Sequence, residues 1–459
     1  MSKDNMWKLY NEGELEQLEK LSADYIGFLN NGKTERECTD ILIEMAEANG
    51  YRNLEDVIAQ GGTLGFGDKV YANNMGKYVM MVNIGEDIVN RGMNILGAHI
   101  DSPRLDLKQN PLYESDEFAY FNTHYYGGIK YYHYVAMPLA LHGVVVKKDG
   151  TVIKLSIGEK DDEPVFFVSD ILIHLAQEQL KKVGAKVVEG EDLDIMVGSR
   201  PLAGEEKDAV KAFIIKLLKD NYDIEEEDFF SAEIEAVPAG KAREAGFDRS
   251  MILGYGHDDR CCAYPSAVAL FDVPEVKTTA CGLFVDKEEI GSVGATGMES
   301  HFFVDMIREI LDRMGIYSEL NLSRVLRNSR MLSSDVSAAY DPLYADKFEK
   351  MNACYFGHGL TFNKYTGSRG KSGSNDANAE YIGKLRAILD KHNVAFQSAE
   401  MGKVDTGGGG TIAYILSLYG MEVIDSGIPV LSMHAPWEAI SKSDLYEAYK
   451  GYKAFLIEG

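Results

Sequence analysis

The sequence predicts an α/β fold interrupted by a β-rich insert, and three observations predict it. Capped helical segments alternate with short apolar, β-favouring runs toward both ends of the chain, which is the grammar of layered α/β domains. From about residue 105 to residue 245 the texture becomes aromatic and β-rich, punctuated by hairpin signals. The α/β texture then resumes, with no internal repeat and no low-complexity linker. At 459 residues the chain has room for two or three domains and a large core.

The elements follow in order. In "TERECTDILIEMAEANGY", Thr34 with Glu37 three residues on forms a capping box, apolar positions recur at helical spacing, and Gly50 closes the helix. "KYVMMVNIG" and "NILGAHID" read as strands. In the insert, "YYGGIKYYHYVAMPLALHGVVV" reads as β structure and "KKDGT" as a hairpin turn. "SDILIHLAQEQLKKVG" and "DAVKAFIIKLLKDNY" read as helices within it. Beyond the insert, "TACGLFV", "ACYFGHGLTF" and "GMEVIDSGIPVLSMH" read as strands. "ANAEYIGKLRAILDKHN", "GGTIAYILSLYG" and "SDLYEAYKGYKAFLIE" read as helices.

Composition narrows the function classes. A formal net charge of -25 leaves no dominant basic surface and argues against a nucleic-acid partner. The N-terminal stretch is charged and lacks the apolar core of a signal peptide. No run approaches the ~18 apolar residues of a membrane span, so no membrane partner is expected. Five cysteines (Cys38, Cys261, Cys262, Cys281, Cys354) are an odd number without zinc-type CxxC spacing. They read as reduced core residues in a cytoplasmic protein.

Five apolar runs end in acids or histidine: "NILGAHIDSPR", "ILGYGHDDRCC", "FVDKEEIGSVGATG", "RMLSSDVSAAYDP" and "GIPVLSMHAP". Singly, an Asp after a strand is usually a turn or cap residue, and a lone His a packing residue. Jointly they are what a metal site at the carboxyl ends of strands needs. His99 and Asp101 are two apart and share a strand face, so Asp101 is expected to accept the second ring N–H of His99. Glu288 and Glu289 are adjacent. If the strand continues, they point to opposite faces, one binding metal and the other handling protons. Two ions ~3.5–4 Å apart hold a bridging hydroxide and need a bridging carboxylate.

These motifs, with "YIGFLNNGKTERE", "YYGGIKYYHY", "DFFSAEIEAVPAG" and "DTGGGGTIAYIL", stand in the order found in one family. The chain resembles the aspartyl aminopeptidase and vacuolar aminopeptidase I family, dinuclear-metal exopeptidases, over nearly its whole length. The resemblance implies a mixed-sheet α/β catalytic domain (1–104 and 246–459) interrupted by a β-rich dimerisation domain (105–245). It implies two divalent ions per chain, zinc first, cobalt or manganese as alternatives. Asp258 would bridge them, His99 and Asp335 completing one site and Glu289 and His434 the other. Glu288 would be the general base and Asp101 the orienter of His99. The partners implied are peptides with a free N-terminus and further copies of the chain, in dimers and a tetrahedral dodecamer.

Two departures bear on substrate. Acidic-specific relatives often read His-Pro where this chain has Asp341-Pro342, and Ile-Pro-His where it has "VSDILIHL" with Asp170. An added carboxylate would repel an acidic side chain by ~1 kcal/mol or more in a partly desolvated site. Neutral or basic N-termini are therefore expected alongside or above acidic ones. Lys364, Arg369 and Lys371 lie in a loop that is either solvated or lines the site. Gly408, in "TGGGGTIA", is a candidate for contact with the substrate's carbonyl or carboxylate, although the run lacks the GK[ST] ending of a P-loop. His257 is expected to pack or to support the metal ligands from behind rather than to bind metal, and Asp259 to cap or orient through a hydrogen bond. The competing readings are a dinuclear-metal deacylase or carboxypeptidase on a related scaffold, and a self-assembling scaffold that binds metal without turnover.

Overall fold

A computed structural model describes residues 4–367 and 370–459. It is a mixed α/β chain in two compact units. The first takes the described residues up to Asp101, then Ala242–Met433 and Glu438–Gly459; the second takes Ser102–Lys241 and His434–Trp437.

The first unit is built on a nine-stranded mixed sheet. Its order is Arg52–Asn53, Lys69–Asn74, Tyr78–Asn83, Thr279–Val285, Met93–His99, Arg330–Ser333, Glu422–Gly427, Leu360–Asn363, Phe396–Ser398. The four central strands, Thr279–Val285 to Glu422–Gly427, run parallel. Met93–His99 and Thr279–Val285 are buried at every position, as strands covered on both faces are. Their side chains alternate between two cores. Leu96, Ala98, Phe284 and Leu332 join the helices Glu12–Asn31, His257–Asp272 and Lys442–Glu458 on one face. Ile95, Leu283, Met331 and Val423 join Phe302–Arg313 and Glu319–Asn328 on the other.

Register brings the strand ends together. Val285 pairs with His99, Gly97 with Ser333, and Ser333 with Asp425. The residues just past these strands therefore share one edge of the sheet. A five-stranded sheet (Arg243–Ala245, Met251–Gly254, Glu438–Ser441, Pro429–Leu431, Ser337–Ala338) completes this unit.

The capping box forms at the start of Glu35–Ala48, with both reciprocal bonds between Thr34 and Glu37, and Gly50 follows at φ +83°. "ACYFGHGLTF" is strand only over Leu360–Asn363. Gly357 and Gly359 have φ of +80° and +89° and give both N–H groups to the buried Asp444 carboxylate, which ends the extended run there.

The second unit is a six-stranded antiparallel sheet: Val152–Ile157, Leu139–Val146, Ala232–Pro238, Arg104–Ser115, Phe118–Tyr126, Ile195–Gly198. Leu105, Phe121, Leu141, Val145, Phe229 and Ile234 form its core. "KKDGT" is the expected hairpin turn, closed by Lys147 N–H to the Thr151 carbonyl at 2.8 Å. "DAVKAFIIKLLKDNY" is helical over Ala209–Tyr222. "SDILIHLAQEQLKKVG" is not an α-helix: it is a run of turns with one 3₁₀ turn, Gln179–Lys181. A helix is stabilised chiefly by packing its apolar face, and here Ile173 (64% exposed) and Leu175 (67%) find no face to pack on among the described residues.

Candidate metal centre

Four segments of the first unit build the centre. His99 is the last residue of its strand, 2% exposed. Its Nδ1 lies 3.0 Å from the Asp101 carbonyl oxygen and 3.3 Å from Asp101 Oδ1, both acceptors, so Nδ1 carries a proton. Its Nε2 then faces Asp258 Oδ1 at 3.1 Å and Glu288 Oε2 at 3.8 Å. Burial alone would lower the His99 pKa. Its bonds to Asp101 and Asp258 and the charges of Asp101 and Glu288 raise it well above the usual histidine value. A cation between Nε2 and these carboxylates would be favoured for the same reason.

Glu288 and Glu289 do not continue the strand. Lys287 turns into the left-handed region (φ 69°) and the two acids start a 3₁₀ turn, Glu288–Ile290. Strand alternation therefore does not set their directions; this turn does. Asp101 holds it: Oδ1 accepts the Glu288 N–H and Oδ2 the Glu289 N–H, each at 3.2 Å. Fully buried, Asp101 thus fixes a histidine and two glutamates with one carboxylate.

Asp258 and Asp259 open the helix His257–Asp272 with non-helical dihedrals and a cis peptide between them. Asp258 N–H donates to Glu438 Oε2 at 3.0 Å. Asp335 follows the strand Arg330–Ser333. Burial, then the charges of Glu288 and Asp258, raise its pKa well above the carboxylate range.

Among the described residues four overlapping groups have ligand atoms within 4.8 Å of one another: His99, Asp258 and Glu289; His99, Glu288 and Asp335; Asp258, Asp259 and Asp335; and Asp259, Cys261 and Cys262. At metal–ligand lengths of about 2.0–2.2 Å, donors sharing one ion lie roughly 3–4 Å apart. The donor set and the buried, cation-poor acids fit a divalent metal; imidazole and carboxylate suit zinc, cobalt or manganese.

The remaining candidates lie as follows. His434 belongs to the second unit, where its Nδ1–H bonds the Gly128 carbonyl at 2.8 Å, leaving the lone pair of the neutral ring on Nε2. Asp170, also in that unit, is exposed and accepts from Ile171 N–H and Gln179 Nε2. Asp341 caps the 3₁₀ turn Pro342–Lys347 by accepting Leu343 N–H at 2.8 Å. Gly408 and Lys371 line a cleft of about 240 Å³ with Tyr365, Glu400 and Lys403; Lys364 is exposed, and Arg369 lies outside the described residues. Close approach explains the glycine run, since a Cβ on Gly407 would sit 1.8 Å from the Met401 carbonyl oxygen.

His257 is a packing residue, accepting from Tyr25 Oη–H and donating to the Ile252 carbonyl. Asp259 is not the expected cap, because neither carboxylate oxygen has a hydrogen-bond partner among the described residues. Sequence reasoning missed Glu438, which holds the Asp258 backbone. It also missed Asp425, whose Oδ1 accepts the Thr411 hydroxyl at 2.5 Å and anchors the glycine run.

The family model for aminopeptidase I zinc metalloproteases (M18) matches residues 28–456. The chain is 59% identical over 453 residues to the probable M18 family aminopeptidase 1 of Clostridium acetobutylicum, covering 98% of this chain and 97% of that one. The crystal structure of aminopeptidase I from that organism aligns with a TM-score of 0.93 at 55% identity, over 99% of each chain. The M18 aminopeptidase structure from Thermotoga maritima gives 0.96 at 43% identity, over 100% of each. The S. cerevisiae mApe1 dodecamer, at 18% identity, shares the fold, with a TM-score of 0.74 over 94% of this chain and 95% of that one.

Proposed function

The chain belongs to the M18 family of aminopeptidase I zinc metalloproteases, hydrolases of peptide bonds, and from that premise we propose that it releases single amino acids from free peptide N-termini at a two-metal centre. The observation that carries the reading is the buried His99, whose Nε2 faces Asp258 at 3.1 Å while Asp101 fixes its Nδ1 and the Glu288–Glu289 turn together. The proposed ligands are Asp258 between the ions, His99 and Asp335 for one, and Glu289 for the other, with His434 carried over from the family resemblance.

Two divalent ions bound there would polarise the scissile carbonyl and acidify the attacking water. Glu288 takes the proton from that water as it attacks, and returns it to the leaving amine. Asp101 keeps the base and the ligands in register: a shift of its carboxylate moves His99, Glu288 and Glu289 at once.

With Asp170 and Asp341 at the two positions where acidic-specific relatives differ, no strong preference for acidic N-termini is expected, and neutral or basic ones should be accepted. Five free, buried cysteines support a reducing, cytoplasmic setting, and among the described residues no helix is long and apolar enough to cross a membrane. Self-association is supported by the exposed apolar run of the second unit, with Leu172 at 54% and Ile173 at 64%, and by the dodecameric mApe1 neighbour. Ile173→Asp is expected to lower the assembly mass in light-scattering chromatography while far-ultraviolet circular dichroism stays unchanged. An unaltered mass would remove Ile173 from the contact.

The deciding experiment uses aminoacyl amides, free and N-acetylated, with zinc-loaded, chelated and re-metallated protein. Only the free-amine forms are expected to be cleaved, by the metal-loaded protein alone, with Asp- and Glu-amides not the fastest. Cleavage of the acetylated forms would instead select the deacylase reading.

A further inference from the structure

The second acid of "HDDR" is left without a use by the ligand set above, and its surroundings are informative. Asp259 is 0% exposed, and neither of its oxygens makes a hydrogen bond among the described residues. An ionised carboxylate buried in that way is strongly disfavoured, and a protonated one would need an acceptor for its O–H. The His99 ring is a cationic neighbour, but burial and the adjacent acids outweigh it. One oxygen lies within 4.8 Å of carboxylate oxygens of both Asp258 and Asp335, which repel it. The sulfurs of Cys261 and Cys262 also lie within 4.8 Å; burial keeps both thiols protonated and neutral, and the Cys262 S–H offers Asp259 only a weak donor. Arg260, the next residue, donates to the carbonyls of Ile100 and Lys33.

A cation among Asp258, Asp259 and Asp335 would satisfy all three. Resting on the two-metal reading, we propose that Asp259 is a further metal-facing carboxylate, an additional anionic partner of the ion held between Asp258 and Asp335. Its position in the first turn of the helix His257–Asp272, one residue after the bridging acid, places two successive carboxylates of one segment at the same ion.

The test compares full-length wild type with Asp259→Asn, which keeps the volume and removes the charge. Zinc affinity is read by competition with a chromophoric chelator, and thermal unfolding is followed with and without zinc. Zinc is expected to bind about 10–100-fold more weakly at one of the two sites, the range seen when groups supporting a metal are removed. The metal-free variant is expected to melt at or above metal-free wild type, since an uncompensated charge is gone, while zinc raises its melting temperature less. Equal zinc affinity, or equal destabilisation with and without zinc, would mark Asp259 as a packing residue and overturn the proposal. Asp259→Ser serves if the Asn variant does not fold. Failure of the wild type itself to bind zinc would instead overturn the two-metal reading.

Discussion

Replacing Glu288 by Gln is expected to lower kcat by about 10²–10⁴-fold, the contribution of a positioned proton-transfer group, or roughly 3–5 kcal/mol of barrier. The amide keeps the size of the side chain, and the backbone bond from Glu288 N–H to Asp101 does not depend on it. Zinc content and KM are therefore expected to stay near wild type, as read by elemental analysis and steady-state kinetics. That combination separates a proton-transfer residue from a ligand. Near-full turnover in a metal-replete variant would remove Glu288 from the mechanism. Loss of metal would make it a ligand instead, an outcome with its own geometric basis, because Glu288 also groups with His99 and Asp335.

Asp258→Asn is expected to have the largest effect on metal. Asp258 belongs to two of the four ligand groups and faces His99 Nε2 at 3.1 Å. If Asp258 bridges as proposed, neutralising it weakens both ions together, so most of the zinc should be lost on dialysis and turnover should fall to background. The Asn side chain preserves the volume, and its backbone N–H still reaches Glu438, so the fold is expected to persist. Without metal the variant should be at least as stable as wild type, because one member of a crowded set of buried acids is gone. Elemental analysis and thermal unfolding read both effects. Retention of two tightly bound ions would show that Asp258 does not bridge.

Much of the fold and of the centre is legible in the sequence, for identifiable reasons. Thr34 with Glu37 is a local signal and forms locally. The strand ends bearing His99, Glu288 and Asp335 stand out because apolar runs ending in acids are costly unless the acids do something. Reasoning from one element at a time is what fails. Strand alternation puts Glu288 and Glu289 on opposite faces, but Lys287 leaves the strand first. Residues 169–184 have helical periodicity, yet their apolar side chains at Ile173 and Leu175 stay exposed. Glu438 acts on a backbone N–H, which leaves no trace in side-chain chemistry. Asp259 has the sequence position of an ordinary cap, and only its burial without a hydrogen bond sets it apart.

With the proposed ligand set, the parallel strands that end at His99, Val285 and Ser333 would also govern when the protein can become active. His99 lies early in the chain and Asp258, Glu288 and Asp335 far beyond it, so no fragment emerging early from the ribosome holds the set. Translation at about 5–20 residues per second delivers Asp335 well after His99. The strand carrying Asp335 must then insert beside one already made, a non-local and slow closure. A nascent chain is thus a protease in composition only, and cannot clip the unfinished proteins around it before its own synthesis is nearly complete.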